Sequence, residues 1–125
     1  MSDDLTILGH DIREPTRRLE CFDAPAGVSW VTFESDELTS MCPITGQPDF
    51  SHVEIGYQPA RRCLESKSLK MYLWSFRDQG IFCEGLASRI AADVAEATGS
   101  RRVEVTVRQS VRGGIVTTAR AEVVR

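Results

Sequence analysis

Cys42 and Asp49 stand seven residues apart in the stretch Cys42-Pro43-Ile44-Thr45-Gly46-Gln47-Pro48-Asp49, whose two prolines and glycine exclude a regular helix. A thiol beside a carboxyl group is a nucleophile beside a proton donor. Cysteine attacks as thiolate, so such a site must lower the thiol pKa with dipoles or cations, whereas a carboxyl that donates a proton must be kept protonated by burial. The spacing alone suits equally a buried cysteine and an aspartate that caps its own loop.

Other catalytic arrangements are poorly served. The two histidines, His10 and His52, lie one in a charged N-terminal stretch and one in an alternating run, so a Ser-His-Asp or Cys-His apparatus would need a distant pairing. No Gly-x-Gly-x-x-Gly or Walker loop is present, which excludes a Rossmann cofactor site. Cys21, Cys42, Cys63 and Cys83 stand about twenty residues apart with no Cys-x-x-Cys pair. That pattern suits neither a zinc knuckle nor a secreted disulfide framework, so free thiols and no metal are expected.

The 125 residues, 42% hydrophobic and 26% charged, have the balance of one soluble globular domain. Fifteen basic against 18 acidic residues give a net charge of -3 and no electrostatic footprint for nucleic acid. The apolar runs fall far short of the roughly 18 residues that span a bilayer, and the start Met1-Ser2-Asp3-Asp4 lacks a signal peptide's basic region. A cytoplasmic protein without membrane contact is expected. A domain this small buries only about two-thirds of its unfolded surface, so a large ligand site is expected between subunits rather than inside one.

The elements that would carry Cys42 and Asp49 follow from periodicity. Residues 1–24 show no sustained pattern and read as an extended arm, with a single domain over 25–125. Val28–Glu34 and His52–Gln58 read as strands, and Leu38–Phe50 between them as a structured loop. Leu69, Tyr72, Leu73 and Phe76 mark a helix from Ser66 that Gly80 ends, and Leu86, Ile90, Val94 and Ala97 mark a second from about Phe82 to Thr98, stopped by Gly99. Arg101–Gln109 and Gly114–Val124 form a closing hairpin about Gly113-Gly114. The sum is β-β-α-α-β-β, an α+β layer with an antiparallel sheet covered on one face by two helices.

Thr39-Ser40-x-Cys42-Pro43-x-Thr45-Gly46-Gln47-Pro48-Asp49-Phe50 resembles the active-site segment of the NADPH-dependent nitrile reductases that convert 7-cyano-7-deazaguanine (preQ0) to its 7-aminomethyl form in queuosine biosynthesis. Glu65-Ser66-Lys67-Ser68-Leu69-Lys70 resembles that family's Glu-Ser-Lys-Ser-x-Lys helix start, and Phe82-x-Glu84 and Arg112-Gly113-Gly114 extend the likeness to Ile115. The resemblance implies the tunnelling fold and a homo-oligomer of stacked rings with sites at subunit interfaces. It implies that Cys42 adds to the nitrile carbon to give a thioimide and that Asp49 protonates the nitrogen. Leu64, Glu65, Ser66, Cys83 and Glu84 match substrate-contacting positions, with Glu84 the acceptor for the purine-like N–H edge. Lys67, Lys70 and Arg112 match residues that meet the NADPH phosphates. The reductases usually carry histidine where this chain has Cys83. That departure keeps two alternatives in view: a relative that passes the thioimide to ammonia or water, and a deazapurine-binding paralogue without turnover.

Overall fold

The computed structural model describes residues 5–8 and 16–125; part of the expected arm, His10 included, lies outside the described residues. The chain runs β1 (Cys21–Asp23), β2 (Val31–Met41), β3 (Pro48–Tyr57), β4 (Arg62–Leu64), α1 (Ser66–Trp74), α2 (Cys83–Thr98), β5 (Arg102–Gln109) and β6 (Thr118–Val124). Strands β2-β3-β5-β6 form one antiparallel sheet in that order, and β1 pairs with β4 in a small second one. The expected α+β layer is therefore present.

Alternation decides which face of the sheet is buried. Val53, Ile55 and Tyr57 on β3 and Val103, Val105 and Val107 on β5 point to one side, where they meet Leu86, Ile90 and Val94 of α2 and Leu69, Tyr72 and Leu73 of α1. Burying each such aliphatic side chain contributes roughly 1.5–3 kcal/mol. The opposite face is charged, with Arg120 paired to Glu104 at 3.1 Å and to Glu122 at 2.9 Å. Gly56 lies on that face under the Trp30 ring, where an added Cβ would stand 2.7 Å from a ring carbon, so a larger residue there would have to displace the ring.

Three sequence expectations are corrected. Leu38–Phe50 is mostly strand: β2 continues to Met41 and β3 begins at Pro48, leaving only residues 42–47 as loop. Pro48 is tolerated because it is the first residue of its strand, and a bulge between Ser35 and Leu38 inserts one residue so that Leu38 and Ser40 return to the buried face. Cys21–Asp23, expected to form no element, is a strand paired with β4. Three residues are too few to show a period. The first helix is also shorter than expected; it ends at Trp74, and Phe76 is buried from a following run of turns instead.

Candidate active site

Cys42 sits at the end of β2, in a loop closed on itself by Cys42 N–H to the Gln47 carbonyl (2.8 Å) and Gly46 N–H to the Cys42 carbonyl (2.9 Å). This turn aims donors at the sulfur. The Thr45 hydroxyl, then the backbone N–H groups of Thr45 and Ile44, hold the Cys42 thiol below the ordinary cysteine range, against weaker opposing effects of burial and of Asp49. The thiol is partly exposed and so accessible to a reactant.

Asp49 is 6% exposed and faces the helices beside Ser40, its partner across the β2–β3 ladder. Its Oδ1 accepts from the guanidinium of Arg112, whose other terminal nitrogen reaches Gln47 Oε1 at 2.9 Å. The hairpin tip delivers that arginine: Arg112 and Ile115 exchange both backbone bonds around Gly113 (φ 57°) and Gly114 (φ 78°), the positive-φ pair a type I′ turn demands. Arg112, expected at the cofactor phosphates, is thus committed to the carboxyl of the expected acid.

The second helix reaches the same place through Gln79-Gly80-Ile81, which bonds alongside Met41 through Met41 N–H to Gln79 O (2.9 Å) and Ile81 N–H to Met41 O (3.1 Å). Cys83 and Glu84 therefore open α2 near the loop of Cys42. Glu84 is exposed in the first turn, where a carboxylate complements the helix dipole. Cys83 is different from its expected place over a ligand. It is 2% exposed, its thiol donates to the Val107 carbonyl at 3.4 Å, and burial pushes its pKa up, so it is a core thiol and a poor nucleophile. Asp49 acts electrostatically on both Cys42 and Cys83, which marks it as the middle of this group.

Sequence reasoning missed three members of the neighbourhood. Ser40 Oγ, Ser51 Oγ and Gln109 Nε2 are buried with no hydrogen-bond partner among the described residues. An unpaired buried polar group costs about 1–3 kcal/mol, a cost that a bound water or a ligand group would remove. A serine in an alternating strand carries no signal of this; the one clue was that Ser40 and Ser51 fall on positions the pattern reserves for apolar residues.

Leu64, Glu65, Ser66 and Lys67 lie elsewhere. Leu64 N–H donates to Tyr57 Oη at 2.8 Å, which ties the segment before α1 to the Tyr57 end of β3, the end opposite Asp49. Glu65 is the N-cap of α1: Oε2 accepts from Lys67 N–H (2.7 Å) and Oε1 from Ser68 N–H (2.9 Å). Leu64 and Glu65 are both buried, so of the three expected contacts here only Ser66 presents its side chain to solvent. Ser66 and Lys70 line a groove of about 630 Å³ between α1 and the middle of β2 and β3, walled by Phe33, Val53, Leu69 and Trp74. No cluster of metal-ligating side chains and no helix long and apolar enough to cross a membrane occurs among the described residues.

Comparison with known proteins adds to this geometry. The family model described as "QueF-like protein" matches residues 48–125. The protein named NADPH-dependent 7-cyano-7-deazaguanine reductase from Syntrophus aciditrophicus (strain SB) is 48% identical over 120 residues, covering 94% of this chain and 85% of that protein. Its namesake from Anaeromyxobacter sp. (strain Fw109-5) is 46% identical over 110 residues, 86% of this chain and 90% of the relative. Another, from Halorhodospira halophila (strain DSM 244 / SL1), is 46% identical over 111 residues, 87% and 94% respectively. Among solved structures, the crystal structure of the archaeosine synthase QueF-Like in the apo form superposes with a TM-score of 0.73 at 29% identity, covering 78% of this chain and 95% of that one.

Proposed function

This chain belongs to the QueF-like family, and from that membership we propose that it reduces the nitrile of preQ0 to the aminomethyl group of 7-aminomethyl-7-deazaguanine with NADPH, through a covalent thioimide on Cys42. The observation that carries the reading is the pairing, at one end of the sheet, of a thiol held below its ordinary pKa with a buried carboxyl. The near-half identity to proteins named for this reaction supports it over most of the chain.

Each residue has a role its surroundings suit. Cys42 adds to the electrophilic nitrile carbon and later departs as thiolate, which the Thr45 hydroxyl and the turn's N–H groups stabilise. Asp49 protonates the nitrogen; for this its Oδ1 must be released by Arg112. Glu84, exposed and unpaired among the described residues, accepts from the N–H edge of the deazaguanine ring. Lys67 and Lys70 at the start of α1 suit the phosphates of NADPH, which when bound supplies hydride twice. Arg112 joins them once it leaves Asp49.

The two groups of residues sit apart in one chain, so we place the complete site between two copies: Cys42, Asp49, Glu84 and Arg112 from one, Ser66, Lys67 and Lys70 from the next, with Cys83, Leu64 and Glu65 buried behind them. Ile44, Phe50, Phe82, Val111 and Ile115, each more than half exposed around the reactive end, support a covering copy there, and β2 and β6 leave two strand edges for ring closure. A second reading, in which ammonia rather than hydride meets the thioimide, has the 29% identical archaeosine synthase fold on its side. One experiment separates the readings. Incubation with preQ0 alone is expected to give a thioimide absorbance and a mass adduct on Cys42, and NADPH to discharge it as amine. No adduct overturns both readings; an adduct that NADPH leaves intact and ammonia discharges overturns the reductase.

A further inference from the structure

Ser40, Ser51 and Gln109 belong to no role assigned so far, yet they surround the proposed acid. Ser40 is opposite Asp49 on β2, Ser51 is two residues on from Asp49 along β3, and Gln109 is opposite Ser51 on β5. All four side chains are on the helix-facing side of the sheet, a contiguous polar patch beside the valines and isoleucines of the same strands. Ser40 is 0% and Ser51 4% exposed, and the two hydroxyls and the Gln109 amide nitrogen have no partner among the described residues. On the opposite, charged face of the same strands a cleft of about 610 Å³, lined by Asp36, His52, Arg108 and Ser110, reaches Ser51 and Gln109. The patch thus runs from Asp49 to the strand positions that back this cleft.

The proposed reaction needs Asp49 to be resupplied with protons. A nitrile becomes a primary amine by gaining two hydrides at carbon and two protons at nitrogen. In the first step the S–C bond forms while nitrogen takes the proton displaced from the Cys42 thiol by way of Asp49. In the second, hydride from NADPH reaches the thioimide carbon and nitrogen takes another proton from Asp49. The C–S bond then breaks, the nitrogen lone pair forms C=N, and the thiolate leaves with the bonding electrons to be reprotonated by solvent; a second hydride completes the amine. Asp49 is therefore discharged once before the first reduction and must be recharged. Arg112, its partner here, offers only guanidinium protons that stay bound.

We propose that Ser40, Ser51 and Gln109 hold water in a proton relay that recharges Asp49 after the thioimide has formed, an inference that rests on the reductase reading above. Serine hydroxyls accept and donate at once, as a relay requires, and the Gln109 Nε2 donor fixes the direction of the water's lone pairs. These are positioning residues: they act through Asp49.

The test is made on the full chain with preQ0 and saturating NADPH, comparing Ser40→Ala, Ser51→Ala and Gln109→Leu with Ser51→Thr, which keeps the hydroxyl. The alanine and leucine variants are expected to form the thioimide at the unmodified rate with preQ0 alone. With NADPH they are expected to turn over about 10-fold or more slowly, with thioimide accumulating in the steady state and a larger solvent deuterium effect on turnover, and Ser51→Thr to recover most of the loss. Unchanged turnover, or adduct formation and turnover falling by the same factor, overturns the relay and leaves the reductase reading standing. An unmodified protein that forms no adduct overturns that reading and the relay with it.

Discussion

The two ends of β3 are built on opposite terms. At the Tyr57 end the chain satisfies itself: Glu65 caps α1 with both carboxylate oxygens, Ser68 Oγ donates to Arg18 O and accepts from Glu20 N–H at 2.6 Å, and Glu20 in turn accepts from the N–H groups of Thr6 and Ile7. At the Asp49 end, buried polar atoms go unpaired among the described residues, apolar side chains face solvent and the Arg112–Asp49 ion pair joins segments 63 residues apart. Self-satisfaction is what rigidity requires, and unmet bonding capacity is what a ligand or a second copy exploits. The contrast teaches that the motif at the start of α1 is first an anchor and that reactivity is concentrated where the chain has been left incomplete.

The largest expected effect tests the incomplete end. Cys42→Ala should abolish both the preQ0 adduct and NADPH oxidation, while leaving the thermal midpoint within a degree or two, because a partly exposed side chain at the edge of a loop contributes little packing. Residual turnover above background, measured by NADPH absorbance, would break the assignment of chemistry to this end.

The Tyr57 end should answer in the other currency. Glu65→Ala removes a buried N-cap that serves two backbone donors and is expected to cost about 2 kcal/mol, or roughly 8 °C in thermal midpoint for a domain of this size. Alkylation of Cys42 by iodoacetamide should proceed at its former rate. A changed alkylation rate with an unchanged midpoint would reverse the roles given to the two ends.

How much of this contrast was legible in the sequence follows the same division. The strands of Val53, Ile55 and Tyr57 and of Val103, Val105 and Val107, and both helices, were visible because their periods are set by a single buried face. The extension of β2 to Met41 was hidden by Pro43 and Pro48, which read as loop formers until the ladder shows that one lies in the turn and the other starts a strand. At the site, Cys42 and Asp49 were found by their types and neighbours. The contact of Arg112 with Asp49 and the burial of Cys83 depend on how the β5–β6 hairpin folds back over α2, which no local pattern encodes.

Thr45 sharpens the comparison at the scale of one hydrogen bond. Its hydroxyl is the foremost contributor to the lowered pKa of Cys42. Thr45→Val should shift the pH profile of Cys42 alkylation toward higher pH and slow the reaction at pH 7 by roughly 3- to 10-fold, since the thiolate fraction falls as the pKa rises. Cys83, with its raised pKa and 2% exposure, should stay unlabelled in both proteins until they are unfolded. A profile unmoved by the substitution would mean that the turn's N–H groups alone set the reactivity.

The smallest effect lies between the ends, on the charged face. His52 Nδ1 stands 2.6 Å from Asp36 and Nε2 3.2 Å from Glu34, and the Asp36 contact, followed by Glu34, raises the imidazole pKa above its ordinary 6.5. A pKa that is higher in the folded state means that the folded protein binds the proton more tightly. The stabilisation is therefore complete below about pH 6.5 and disappears as pH rises through the raised folded value. The side chain is 38% exposed and Asp36 90%, so screening limits the contribution to a few tenths of a kcal/mol. Urea unfolding of the unmodified protein and of His52→Gln should differ by that amount at pH 5.5 and converge at pH 8.5. A difference that grows with pH would reverse the sign of the linkage, and a change in Cys42 alkylation on the same substitution would show that the two ends of the sheet are coupled through its middle.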